Sequence, residues 1–464
     1  MSTPKHQRTE TDALGSVCLP KDAYWGVHTE RARCNFAISG ITLGQYPCLV
    51  SALVQIKHAA AITNGKLGVI EPNISQVIQE ACIDIVRQDY TEQFVVDMIQ
   101  GGAGTSSNMN ANEVIANRAI ELCGGVKGDY HVIHPNDHVN ASQSTNDVYP
   151  SAIKLAVLKE LDRLLIQMEA FKTVCIEKRD EFSTILKLGR TQLQDAVPMT
   201  LGQEFGAYST TIEEDIARLR ESTVHLCELN IGATAIGTGI NAPVRFSEHC
   251  VEELRRLSGF NLRIAENLIE ATSDAGGFVL FSGVVKRAAI KLSKVCNDLR
   301  LLSSGPRGGL GEIRLPAVQA GSSIMPGKVN PVIPEVVNQI AYMIMGNDVT
   351  ISCAAESGQL QLNAFEPVIA FRLLNSVRLL TEGFATLTDK CIRGVEADAE
   401  KCRQNLNMSI GLATYLNPEI GYAASSDLAK QALLEGRTIS DVAEAYQEGL
   451  SRAIDQGLSI AQGQ

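Results

Sequence analysis

Five short stretches of the sequence are rich in hydroxyl, amide and glycine residues, which could together form a polar binding site. They are GGAGTSSNMN (101–110), SQSTND (142–147), GRTQLQD (189–195), GATAIGTGIN (232–241) and GSSIMPGKVNP (321–331). Any one of them alone is typical of an ordinary loop, because Gly, Ser, Thr and Asn are common in turns and helix caps. Five in one chain favour a shared site.

The stretch GSSIMPGKVNP contains Gly-Lys but does not fit a phosphate-binding loop. That motif needs four residues between its first glycine and Gly-Lys, and then a Ser or Thr. Here five residues separate Gly321 from Gly327, and Val329 follows Lys328. Pro326 also removes a backbone N–H group that should face the phosphate. The sequence therefore argues against a nucleotide site.

Motifs for cofactors, metals and hydrolases are also incomplete. GGAGTSS lacks the third glycine of a dinucleotide-binding fingerprint. Pro135 interrupts the histidines at 131, 134 and 138, and the chain has no HExxH or GxSxG motif. We therefore expect no cofactor and no resident metal, and the sequence leaves activation by a divalent ion open.

Hydroxyls, amides and one cation can still remove a proton next to a carboxylate. Such a reaction needs preorganised donors for the developing dianion and a base within reach of the C–H bond. Ser322 could be that base if Lys328 and the loop amides favour its alkoxide. Gly321 and Gly327 would let the loop close over a substrate and exclude water.

Long stretches without proline predict the helices that must position these residues. They cover 151–197, 244–305 and 368–417. Apolar residues recur every three or four positions in the first stretch, at Leu155, Leu158, Leu161, Leu165 and Met168. The same spacing recurs in the second, at Leu292, Val295, Leu299 and Leu302. Both patterns indicate one apolar helix face.

A single helix over 148–188 would be about 60 Å long, although several shorter helices would also fit. Ser144, Thr145, Asn146 and Asp147 lie where its N-terminal cap belongs. Free backbone N–H groups and the helix dipole would make that end an anion site. A helix of this length is hard to cover with one chain, so the sequence predicts a homo-oligomer.

The sequence divides into three predicted zones. Residues 1–145 are mixed, 146–395 contain the long helices, and 396–464 form a small helical domain. Aromatic residues make up only 5% of the chain and apolar residues 45%, which suits packed helices better than a β-sandwich.

Charge and cysteine content restrict the partners and the compartment that we expect. The net charge of -11 argues against a nucleic-acid partner. Twelve cysteines without regular spacing are typical of free thiols in a reducing compartment. The polar N-terminus resembles no signal peptide, and no apolar run is long enough for a membrane span. We therefore expect a cytoplasmic protein.

The polar stretches resemble, in order along essentially the whole chain, those of the aspartase/fumarase superfamily. The matching segments are GGAGTSSNMN, NDHVNASQSTND, GRTQLQDAVPMTLGQE, LNIGATAIGTG and GSSIMPGKVNP. Members of that family eliminate a group from succinyl compounds to release fumarate. The resemblance implies an all-α, three-domain fold and a homotetramer with a central bundle of long helices. It also implies active sites assembled from segments of three subunits.

The resemblance also implies a role for each matching residue. The candidate catalytic residues are Ser322, as the base for the β-carbon proton, and Lys328. The residues that would hold the β-carboxylate and its enediolate form are Thr105, Ser144, Thr145 and Ser323. Those that would bind the α-carboxylate are Lys328 and Asn330. Those expected near a leaving amino group are Asn146, Thr191 and Gln192.

A few residues distinguish the branches of this family. Thr145 and the GGAGTS form resemble aspartases, and Gln192 stands where fumarases carry histidine. Losing a titratable side chain there suits an ammonium group that leaves already protonated. His134 in HPND resembles a second anion site of fumarases and points the other way.

We therefore expect reversible anti elimination of ammonia from L-aspartate, through an enediolate, to give fumarate. Three alternatives stay open: hydration of fumarate, a lyase for an N-substituted aspartate, and a catalytically inactive scaffold of the kind found in eye lens. The intact Ser322, Lys328 and Asn330 argue against the last.

Overall fold

The computed structural model describes residues 6–463, and helices dominate it. The α-helices of these residues are α1 (Val27–Asn35), α2 (Pro47–Lys66), α3 (Pro72–Arg87), α4 (Thr105–Leu122), α5 (Thr145–Glu181), α6 (Leu201–Leu226), α7 (Phe246–Ser258), α8 (Leu268–Ser273), α9 (Gly276–Leu302), α10 (Val332–Glu356), α11 (Glu366–Lys390), α12 (Ala399–Asn407), α13 (Asn417–Glu435), α14 (Ile439–Tyr446) and α15 (Ser451–Gly463). The predicted helical fold class is confirmed.

Short strands, which the sequence did not predict, pair two by two within residues 6–463. They are β1 (Gln7–Asp12), β2 (Gly15–Pro20), β3 (Leu186–Thr191), β4 (Gln194–Thr200), β5 (Glu228–Leu229), β6 (Arg263–Ile264), β7 (Ile313–Arg314) and β8 (Glu396–Ala397). The β5–β6 pair is parallel and the other three pairs are antiparallel. Two of the antiparallel pairs, β1–β2 and β3–β4, are hairpins with two-residue connections.

Helix α5 is the long helix that the sequence predicts, with different ends. It has 37 residues, which corresponds to about 55 Å at 1.5 Å per residue. The predicted C-terminal end near 188 is wrong, because residues from Leu186 onward pair as β3 with β4. Along the predicted apolar face, Leu155, Leu158, Leu161 and Met168 are buried, but Leu164 is buried in place of the half-buried Leu165.

The described chain packs into two compact units. The first comprises the residues up to Arg163 with Arg218–Lys286 and Met343–Arg378, and the second comprises Leu164–Ala217, Arg287–Tyr342 and the residues from Leu379 onward. The three predicted zones stay a prediction.

Within the second unit, the C-terminal helices form a core of their own with part of the β3–β4 hairpin. Its buried side chains include Leu188, Leu412, Leu428, Val442 and Ile454. All twelve cysteines are free thiols. A search of residues 6–463 finds no helix whose length and apolarity would let it cross a membrane.

Candidate active site

The predicted anion site at the start of α5 is built as a helix cap. Ser144 Oγ accepts a hydrogen bond from the Asn146 backbone N–H (3.2 Å), and Asp147 Oδ1 accepts one from the Ser144 N–H (3.1 Å). The Ser144 hydroxyl thus caps the second residue of the helix, and the carboxylate of the third reaches back to the cap residue, as in one half of a capping box. The helix begins at Thr145, three residues before the predicted start at 148.

A proline in the second turn of α5 ties the stretch after β5 to this helix start. Pro150 has no N–H group, so the carbonyl of Asn146 lacks its helical partner. Asn230 Nδ2 donates to that carbonyl at 2.9 Å. In return, Asn146 Nδ2 donates to the carbonyl of Ala235 at 2.7 Å. The stretch 232–241 is therefore held against the cap within the first unit.

Asp147 completes this connection from inside the protein. Its Oδ2 accepts hydrogen bonds from the backbone N–H groups of Thr234 (2.9 Å) and Gly232 (3.2 Å). Burial raises the pKa of Asp147 to about 7, although these amides and the Lys57 cation favour the carboxylate. Sequence reasoning placed Asp147 in the cap but missed this second contact.

The GGAG turn leads into α4 with three successive residues in the left-handed region, Gly102, Ala103 and Gly104. A Cβ atom at Gly104 would overlap the ring of Tyr149 of α5, so the close approach of the two helices requires glycine there. Thr105 begins α4, and its hydroxyl donates to the carbonyl of Gly102 at 2.7 Å. Thr105 therefore lies beside the helix at whose start the sequence predicts an anion site.

One turn further along α4, an asparagine contacts a predicted substrate-binding residue directly. Asn108 Nδ2 donates to Thr145 Oγ1 at 3.1 Å. The first unit thus brings together four of the predicted site residues, which are Thr105, Ser144, Thr145 and Asn146.

Thr191 and Gln192 lie at the tip of the β3–β4 hairpin in the second unit. Gln192 and Leu193 form its two-residue turn with φ of 55° and 62°. Such a turn favours Asn-Gly, and left-handed backbone costs an ordinary L-residue about 1–2 kcal/mol. Strain of this kind is common at functional sites, where a particular side chain is needed.

An ion-pair network anchors the hairpin next to this turn. Arg190 Nη2 lies 2.7 Å from Glu312 Oε1, and Lys187 Nζ lies 3.6 Å from Glu312 Oε2. Asn405 also donates to Glu312 Oε1 at 3.0 Å, and the Glu312 side chain is fully buried. Glu312 directly precedes β7, which leads into the 321–331 loop, so one carboxylate holds both segments of the second unit.

The 321–331 loop is closed at its base by hydrogen bonds between its two ends. The Gly321 N–H donates to the Lys328 carbonyl (2.9 Å), and Asn330 Nδ2 donates to the Gly321 carbonyl (2.7 Å). Gly321 is therefore a fixed point of the loop. Gly327 has the left-handed φ of 80° that a turn before Lys328 requires. Ser323 and Lys328 are exposed on the loop.

The hydroxyl of Ser322 faces two backbone donors of its own loop. Ser322 Oγ accepts hydrogen bonds from the N–H groups of Ile324 (3.2 Å) and Met325 (3.0 Å). Donors aimed at an oxygen stabilise its anionic form more than its neutral form. The arrangement therefore suits an alkoxide at Ser322.

Metal-ligand geometry is not found among residues 6–463, where no cluster of three or more His, Cys, Asp or Glu side chains could hold an ion. The loop histidines have local contacts. His134 Nδ1 accepts from the backbone N–H groups of Asn136 and Asp137, which caps the turn Pro135–Val139. His138 Nδ1 accepts from the His134 N–H at 2.9 Å.

Comparison with known proteins places this geometry in a family. A model described as lyase matches residues 15–346, and a model of the fumarase C C-terminus matches residues 412–459. An aspartate ammonia-lyase from Pseudomonas aeruginosa is 55% identical over 443 residues, covering 95% of this chain and 94% of the relative. One from Escherichia coli K12 is 49% identical over 436 residues, covering 94% and 91%.

Solved structures agree with the sequence relatives. A fumarate lyase:delta crystallin from Brucella melitensis bound to cobalt matches with a TM-score of 0.95 and 53% identity, over 98% of this chain and 99% of that chain. A class II fumarase from Schistosoma mansoni matches with a TM-score of 0.93 and 35% identity, again over 98% of this chain and 99% of that chain. The polar stretches, the helical fold and these matches together establish that this chain belongs to the aspartase/fumarase superfamily of lyases.

Proposed function

We propose that this chain is a carbon–nitrogen lyase that eliminates ammonia from L-aspartate to give fumarate. The observation that carries the proposal is the similarity to proteins named aspartate ammonia-lyase, at 49–55% identity over 94–97% of the chain. Substrate and product are small anions, and a site made of hydroxyls, amides and one lysine suits their interconversion.

In the proposed reaction, Ser322 removes the proton from the β-carbon and the electron pair moves into the β-carboxylate as an enediolate. The enediolate then collapses to form the carbon–carbon double bond, and the bond from the α-carbon to the amino nitrogen breaks on the opposite face. The hydrogen bonds from Ile324 and Met325 to Ser322 Oγ support this role, because they lower the cost of the alkoxide.

The remaining roles follow the charges that develop. The enediolate needs donors that are in place before the reaction, and the residues proposed for it are Thr105, Ser144, Thr145 and Ser323. Those proposed for the α-carboxylate are Lys328 and Asn330. Those proposed to contact the amino group are Asn146, Thr191 and Gln192. No cofactor has a part in this scheme.

Gln192 favours ammonia over water as the leaving group. A hydroxide must receive a proton as it leaves, whereas an ammonium group carries its proton already. A neutral amide cannot supply that proton, but it can accept a hydrogen bond from ammonium. Fumarate hydratase is the alternative within this family, since a class II fumarase shares the fold.

We further propose that the chain works as a homotetramer. An exposed apolar stripe runs along α10 through Val336, Tyr342, Met343 and Val349, whose spacing repeats about every seven residues. An exposed stripe of this kind supports packing against another copy of the chain. Light scattering on the protein as it elutes from a size-exclusion column should give the mass of four chains. A fully active monomer would contradict this.

Fumarate release can be followed by ultraviolet absorbance with L-aspartate, L-malate and N-substituted aspartates in parallel. We expect turnover with L-aspartate, and we expect it to persist after chelation of divalent ions. Turnover with L-malate alone would identify a hydratase. Turnover with an N-substituted aspartate alone would identify the related lyase. Inactivity with every compound would support the inactive scaffold.

A further inference from the structure

A buried lysine lies behind the start of α5 and has no part in the proposed reaction. Lys57 of α2 is 0% exposed, and its Nζ donates to Asn140 Oδ1 (2.8 Å) and Gln143 Oε1 (3.0 Å). Burying an ammonium is costly unless it is paired and hydrogen-bonded. A buried cation next to an anion site therefore requires an explanation.

The titratable groups that face Lys57 are Asp147, Cys82 and Cys250. Burial raises the pKa of both thiols, so they stay neutral near pH 7. Burial also lowers the pKa of Lys57 to about 7, while Asp147 favours the charged form. Asp147 is therefore the carboxylate that balances the lysine, although the hydrogen bonds of Lys57 go to two amide oxygens.

Those two amide groups can face the lysine in one orientation only. Gln143 Nε2 donates to the carbonyls of Val139 and Ala141, both at 3.0 Å. Asn140 Nδ2 donates to the carbonyl of Gln143. An ammonium group can only donate, so Lys57 holds each side-chain oxygen toward itself, and the bonds of the two NH₂ groups agree with this orientation.

The orientation of Asn140 determines that of Asn108. Asn140 Oδ1 also accepts hydrogen bonds from Asn108 Nδ2 and Asn112 Nδ2, both at 3.1 Å. Reversing the Asn108 amide would place two oxygens against each other. Its NH₂ group therefore stays on the side of Asn140, and its Oδ1 is buried with no hydrogen-bond partner.

The second N–H of Asn108 Nδ2 reaches Thr145 Oγ1 at 3.1 Å. Because the Thr145 oxygen accepts this bond, its own O–H must donate in another direction. Thr145 is the first residue of α5 and directly follows the cap residue Ser144, where the sequence predicts an anion site. A bound carboxylate is the partner that such a hydroxyl suits.

We propose that Lys57 is a positioning residue that acts through Asn140 and Asn108 to hold the Thr145 hydroxyl as a hydrogen-bond donor toward a bound carboxylate. This inference rests on the proposed function, because it assumes a dicarboxylate at Thr145. A lysine that merely balanced Asp147 would need no such chain of oriented amides.

Double-mutant cycles between Lys57→Met and Thr145→Val test the proposal, with the dissociation constant of succinate as the main readout. Thr145→Val removes the hydroxyl and keeps the shape, and should weaken binding roughly 10- to 100-fold, as expected for one hydrogen bond to a charged group. Lys57→Met should weaken it by a similar factor. The double variant should be no weaker than Thr145→Val alone, within about twofold. If the double variant instead loses affinity by the product of the two single-variant factors, the proposal is overturned.

Asn108→Asp provides a second cycle in case Lys57→Met does not fold. Aspartate at 108 can accept a hydrogen bond from the Thr145 hydroxyl, which then turns away from the ligand. Asn108→Asp should therefore weaken succinate binding, and this loss of affinity should also vanish in the Thr145→Val background. The matched control is Asn110→Asp on the same helix, because Asn110 is buried but donates to the Gln93 carbonyl. Its effect should multiply with that of Thr145→Val.

Turnover of L-aspartate by the wild type separates the two proposals. If succinate binds and the cycles couple but L-aspartate is not a substrate, the proposed function fails and the role of Lys57 stands. If L-aspartate is turned over and the effects multiply, only the role of Lys57 fails. If the wild type does not bind succinate, both fail.

Discussion

Replacing Gly321 by alanine should disable the loop that carries Ser322. A Cβ atom at Gly321 would lie 2.5 Å from the Lys328 carbonyl oxygen and 2.8 Å from the Asn330 nitrogen, whereas ordinary contacts begin at 3.4 Å. The two ends of the loop would therefore have to separate by about 0.9 Å. Both neighbours are backbone atoms, so no side-chain rotation relieves the overlap.

A displacement of about 1 Å in a catalytic group can cost roughly 100-fold in rate. We expect kcat/KM for L-aspartate to fall by about that factor in Gly321→Ala. The unfolding midpoint should not change, because the loop residues are largely exposed. The measurement is the initial rate of fumarate absorbance together with thermal unfolding of each variant.

Gly308→Ala is the matched control, since a Cβ atom there meets nothing within 4 Å and the residue also lies outside the helices. It should retain activity within about twofold of the wild type. If Gly321→Ala retained activity to the same extent, closure of the loop base could not be what holds Ser322 in place.

Three further predictions concern the base, the buried anchor and the buried lysine. Ser322→Ala should lower kcat by roughly 10²- to 10⁴-fold with the fold intact, since a general base is lost; near-normal turnover would remove that assignment. Glu312→Gln deprives Arg190 of its buried carboxylate and should destabilise the protein by about 3–5 kcal/mol; an unchanged urea midpoint would contradict this. Burial lowers the pKa of Lys57 to about 7, and a bound dianion raises it again. The same dianion also raises the pKa of Asp147, which burial already places at about 7. Succinate binding near pH 8 should therefore take up protons, as calorimetry in two buffers of different ionisation enthalpy can measure; proton release would refute it.

Apolar periodicity and cap residues were sufficient to predict the main helix and the residues of its N-terminal cap. Ser144 and Asp147 follow local rules, because a cap contacts atoms within its own turn. The predicted end of α5 was wrong because the local sequence does not mark the hairpin that follows the helix. Residues 186–200 have no turn signature such as Asn-Gly, and the hairpin instead forms around the strained pair Gln192 and Leu193.

The residues that support the site could not be found from local patterns. Lys57 lies 83 positions from Asn140 in the chain, and Arg190 lies 122 positions from Glu312. In the sequence each reads as an ordinary charged residue on a helix or strand. Asn108 and Asn140 lay within stretches that the sequence analysis selected, but only the structure relates them to Thr145.

The most direct test of the proposed chemistry runs the reaction backwards, with fumarate and ammonium in deuterated water. Base chemistry by Ser322 with anti geometry predicts L-aspartate that carries one deuterium on the β-carbon, as a single diastereomer in the proton NMR spectrum. Ser322→Ala should form this product at least 100-fold more slowly. A mixture of diastereomers, or malate as the only product, would contradict the account.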